Sequence, residues 1–145
     1  MLRWVKVVHY PFLMTAATWL LIACSALLGL SYGVFEPARV TAPGTVSIVA
    51  YVEKLGPVWV ISFSVNALVL ATCAVLKRGV RFGHVLSGSI MSGYAMALVL
   101  GSVLSDPPRP PVTGVLAAAV VGFHLLMAGA YSQYAHQLRG GHHGT

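Results

Sequence analysis

The chain has 145 residues, 57% of them apolar and only 8% charged, with a mean hydropathy of +0.81. An ordinary soluble domain carries roughly 25% charged residues, so a soluble fold is excluded, and the apolar residues fall into membrane-length blocks. The net charge of +6 lies beside those blocks and forms no basic stripe able to track phosphates, which excludes nucleic acid as a partner.

The chain opens with Arg3 and Lys6, then Pro11, then an apolar block over 12–32. That block is longer than the apolar region of a usual signal peptide, and the small-residue stretch Val40-Thr41-Ala42 runs into Pro43, a poor cleavage context. It reads as a retained first span, with Ser25, Gly29 and Gly33 forming a four-residue ladder of small side chains. A long extracytoplasmic connection over 36–57 follows, broken by Pro37, Pro43, Gly44 and Pro57. Inside it the run Val46 to Leu55 is apolar but too short to span, and predicts a short interfacial helix.

The second span is predicted over 58–76, entered through Trp59 as an interfacial anchor. A short basic turn with Lys77, Arg78 and Arg81 leads to the third span over 85–104. Ser89, Gly93, Ala97 and Gly101 recur there at every fourth residue, a ridge that lets another helix backbone approach. Pro107, Pro108, Pro110 and Pro111 make a stiff turn, and the fourth span is expected over 112–132. It carries a third ladder, Gly114, Ala118 and Gly122, and is followed by a loose tail over 133–145. Cys24 and Cys73 lie inside apolar blocks without metal-ligand spacing, and read as small hydrophobic packers.

Candidate chemistry is sparse. Asn66, Tyr94 and His124 each fall near the midpoint of a predicted span, where a polar group is costly unless paired. They form either interhelical hydrogen-bond staples or one mid-membrane cluster. His9, His84 and His136 lie near the same end of their spans and are the candidate axial ligands for haem b, or the candidate neighbours of a quinone. Metal binding beyond that is undefined, since His142 and His143 alone make no site. No span contains Asp or Glu, and no nucleophilic triad, HExxH or phosphate-cradling loop occurs, so an enzyme is not expected and no catalytic residue is assigned.

The fold class expected is all-α: one domain, a polytopic four-transmembrane-helix bundle. Lys and Arg number six in the N-terminus, second connection and tail, against three in the other two connections, which places both termini in the cytoplasm. The expected partners are the lipid bilayer and either further copies of the chain or a larger membrane complex, because one bundle cannot easily use every small-residue face internally. The expected function is that of an oligomerising or accessory membrane subunit, with a pore-forming, holin-like role compatible with its size. No cofactor is expected. The alternatives are a haem b- or quinone-binding electron-transfer anchor, and a small channel or transporter using Asn66, Tyr94 and His124. The Ala, Val and Gly richness suggests a bacterial or phage genome and an inner-membrane location.

Overall fold

The computed structural model describes the backbone of residues 2–34 and 44–140, and the side chains of residues 11–34 and 44–137. The fold is all-helical among these residues: α1 (Leu2–Val34), α2 (Ile48–Lys54), α3 (Val58–Leu76), α4 (Val80–Val103) and α5 (Val112–Gly140). Four of the helices, all but α2, are long and apolar enough to cross a membrane, as a multi-pass membrane protein requires. Their outer surface is apolar, with Phe12, Leu27, Leu68 and Leu126 more than 60% exposed. In water such a surface would be strongly unfavourable; in lipid it is the solvent-facing side.

The bundle is built from two close pairs, α1 on α3 and α4 on α5, while α1 and α5 barely meet. Small residues bring each pair together. A Cβ built on Gly29 of α1 would lie 2.9 Å from Ser64 Oγ and 3.2 Å from Ser64 N of α3. One built on Gly114 of α5 would lie 2.5 Å from Val99 Cγ2 and 2.9 Å from Val99 N of α4. Without a hydrophobic driving force between helices in lipid, this close van der Waals approach is what favours association.

Two apolar clusters fill the space between the pairs. One holds Met14, Leu21, Ile22, Leu70 and Met127; the other holds Val49, Trp59, Phe63, Met91 and Ala97. In the second, the Phe63 and Tyr94 rings meet edge to face at a centroid distance of 5.1 Å.

Helix ends differ from the sequence expectation in ways that matter. The helix of α1 runs through Pro11 to Leu2, although an interior proline removes one backbone donor and crowds the carbonyl four residues before it. The start of α4 is Val80, five residues before the predicted boundary. Lys77 (φ 52) and Gly79 (φ 69) adopt left-handed backbone, which reverses the chain in three residues. The helix α5, the fourth predicted span, continues to Gly140, where a loose tail was expected from residue 133, since its polar end lacks a helix breaker before the Gly140-Gly141 pair. Cys24 lies on the exposed face of α1 and Cys73 is half-buried, so only the latter packs inside.

The short helix α2 covers the end of the bundle where α1 and α4 terminate and α3 begins. Ser47 caps it by accepting from Ala50 N, Ser105 Oγ accepts from Val46 N at 3.1 Å, and Trp59 Nε1 donates to the Val49 carbonyl. Glu53 Oε2 accepts from Trp59 N, placing a carboxylate at the N-terminus of α3 where the helix dipole favours it. The part of the predicted connection before Gly44 lies outside the described residues.

Candidate functional site

Three polar layers lie between the helix pairs. On α1, Thr18, Ser25 and Tyr32 recur every seventh residue, two helical turns, so they share one face about 10 Å apart in height. Each heads one layer.

The first layer joins α1, α4 and α5. Thr18 Oγ1 lies 2.8 Å from the Met14 carbonyl, 3.1 Å from His84 Nε2 and 3.0 Å from the Tyr131 hydroxyl. His84 Nδ1 lies 3.1 Å from His124 Nδ1. Thr18, His84 and His124 are each at most 1% exposed.

Proton counting orders these bonds. A carbonyl only accepts, so the single Thr18 hydroxyl proton goes to Met14, and Thr18 then accepts from Tyr131 O–H and from His84 Nε2–H. Neutral His84 protonated at Nε2 has its lone pair at Nδ1, which accepts from His124 Nδ1–H. This is the one arrangement of neutral side chains in which every contact of the layer is a hydrogen bond.

The second layer joins α1, α3 and α4. Ser87 Oγ lies 2.6 Å from Asn66 Oδ1 and 2.8 Å from the Gly83 carbonyl, so its one proton is shared between two acceptors, and Asn66 Nδ2 donates to Ser25 Oγ at 3.1 Å. The short distance to Asn66 suits O–H···O and is tight for N–H···O, which favours the amide with its oxygen toward Ser87. The third layer joins the Tyr32 and Tyr94 hydroxyls at 2.8 Å, with Trp59 packed edge to face on Tyr94.

These bonds fall mainly across the joint between the two helix pairs. Thr18–His84, Thr18–Tyr131, Asn66–Ser87 and Tyr32–Tyr94 cross it, whereas His84–His124 and Ser25–Asn66 lie within a pair. Small-residue packing makes the pairs, and hydrogen bonds join them.

Asn66, Tyr94 and His124 all face the interior, yet the structure does not hydrogen-bond them to one another; each sits in a different layer. The three haem-ligand candidates are likewise apart. Both ring nitrogens of His84 are engaged within the first layer, His136 is exposed on α5, and the side chain of His9 lies outside the described residues, as do His142 and His143. Among the described residues no three His, Cys, Asp or Glu side chains come together in a metal-binding group.

The small-residue ladders divide between inside and outside. Ser25, Gly29, Ala97, Gly101 and Gly114 are buried, and Gly101 rests on the backbone of Val46–Ile48. Gly33, Ser89, Gly93, Ala118 and Gly122 are exposed, and nothing approaches a Cβ built on Gly93, Gly122 or Gly129. A four-residue step advances by about 40° around a helix, so each ladder winds from one face to another.

Thr18, Tyr131 and Tyr32, which no depth or spacing argument singled out, complete the layers. The seven-residue spacing of Thr18, Ser25 and Tyr32 was the signal available for two of them. No protein-family model, curated protein or solved structure matches this chain.

Proposed function

We propose that the chain is an inner-membrane subunit, with both termini in the cytoplasm, that works by assembly with further copies of itself or with a larger membrane complex. The observation that carries this reading is a division of labour across the helices. Inside, polar side chains of different helices are hydrogen-bonded to one another in three layers. Outside, Gly93, Gly122 and Gly129 stand in open space in the middle of helices. A glycine inside a helix costs roughly 1 kcal/mol relative to alanine and contributes nothing to this bundle at those positions. A second helix backbone seated there gives these glycines a role, and a ring of such contacts is how a small bundle of this kind encloses a pore between copies.

Cysteine substitution tests the contact. In a Cys24→Ser/Cys73→Ser background, Gly93→Cys and Gly122→Cys give oxidised dimers in native membranes, whereas an outward control, Leu68→Cys, does not. Equal cross-linking at all three positions contradicts a defined contact.

A second reading, a small channel or transporter, is favoured by the stacking of three polar layers along one joint between helix pairs. It requires solute flux in liposomes that His124→Ala abolishes while the bundle stays folded. Assembly alone predicts that His124→Ala lowers stability.

A further inference from the structure

We propose that the gap between α1 and α5 is a binding site for one anionic membrane lipid, its phosphate at Lys77 and Arg81 and one acyl chain between the helices. The gap is a cavity of about 500 Å³, within the roughly 300–1,000 Å³ range of small-molecule sites. It lies where the two helix pairs separate, at the basic end of the bundle. Its walls are apolar, including Met14, Ala74 and Tyr134, and its mouth carries Lys77 and Arg81. No carboxylate is among the described residues that line it. Glu53 and Asp106 lie beyond the opposite ends of the spans.

The floor decides against a ligand that needs hydrogen-bond donors at depth. Thr18 and Tyr131 line the cavity, but the Thr18 proton is held by the Met14 carbonyl and the Tyr131 proton by Thr18. The His84 Nε2–H is directed to Thr18 as well. A quinone carbonyl would find acceptors there and no free donor, whereas an aliphatic chain asks for none. The polar demand of the site is therefore all at the mouth, where two cations face a headgroup. Lys77 is placed there by backbone: its left-handed conformation ends α3 and turns the chain toward Arg81 on the first turn of α4. Basic residues at a membrane surface attract anionic lipid headgroups, and an apolar slot beneath them holds the tail.

The test is native mass spectrometry of the purified full chain in mixed micelles containing equimolar phosphatidylglycerol and phosphatidylcholine with identical acyl chains. The expected result is a retained 1:1 adduct with phosphatidylglycerol in preference to phosphatidylcholine. Lys77→Gln/Arg81→Gln lowers that retention by roughly 30-fold, the effect of two cations near a headgroup. Ala135→Trp, which fills the cavity from its wall, removes the adduct while leaving the two cations in place. All three positions are exposed, so helix content by circular dichroism is unchanged. Equal retention of the two lipids, or an adduct that survives both variants, overturns the proposal. Displacement of the lipid by inorganic phosphate also overturns it, because the site would then read a free anion.

Discussion

His84 on α4 and His124 on α5 face each other through their Nδ1 atoms at 3.1 Å, each at most 1% exposed to the surroundings. The two rings close the α4–α5 pair from inside, and His84 then reaches across to Thr18 of α1 with its other nitrogen. One imidazole thus belongs to a helix pair and to the joint between pairs at the same time. Its substitution is expected to be felt in both.

A double-mutant cycle with His84→Ala and His124→Ala measures that link. The two substitutions are expected to couple by about 1 kcal/mol in thermal or denaturant unfolding in detergent, the size of interhelical hydrogen bonds in membrane bundles. Strictly additive effects would show that the contact contributes nothing to stability.

The tyrosine layer permits a cleaner test, because only two oxygens are involved. Tyr32→Phe leaves the Tyr94 hydroxyl without its partner, and Tyr94→Phe does the converse. Each single change is expected to destabilise by about 1 kcal/mol, and the double change by less than the sum, since it strands no hydroxyl. Unfolding midpoints of the three variants check this; a double variant that loses the full sum refutes the pairing.

Glycine is required at 114 for a different reason. The Val99 backbone nitrogen would lie 2.9 Å from a Cβ at that position, and backbone cannot move aside as a flexible side chain can. Gly114→Val is expected to cost about 1–3 kcal/mol by overpacking. Gly88→Ala on the facing helix, where the nearest atoms to a Cβ are 3.6 Å away, is expected to be tolerated. Equal losses in the two variants would contradict the close approach described for α5.

Much of this bundle is legible in the sequence because lipid imposes length and apolarity on each span. The second span occupies Val58–Leu76 as expected, and a short helix forms at Ile48–Lys54 inside the first connection. The ends of the other helices are less legible, since hydropathy marks where lipid stops and hydrogen bonding marks where the helix stops. That difference matters at His84. A third span starting at residue 85 leaves this histidine at an interface, whereas a helix starting at Val80 buries it a turn inside.

The site was only half legible for a similar reason. Depth singles out Asn66, Tyr94 and His124, but their partners are largely hydroxyl side chains. Such side chains occur all along these helices and mostly bond back to their own backbone, as Thr15, Ser89 and Ser102 do. Spacing by four residues also misleads over more than two turns. Ser89 and Gly93 end on the outside of α4, while Ala97 and Gly101 reach the inside.

Assembly through the open glycines is read most directly from the native mass of the detergent-solubilised chain beside its Gly93→Leu/Gly122→Leu variant, with melting recorded for both. The expected result is a defined oligomer, or a complex with a second membrane protein, that the double variant loses while the bundle itself still melts as a folded unit, because both positions open onto empty space. A parent chain that runs as a lone monomer, or a variant that assembles as the parent does, would contradict assembly through these faces.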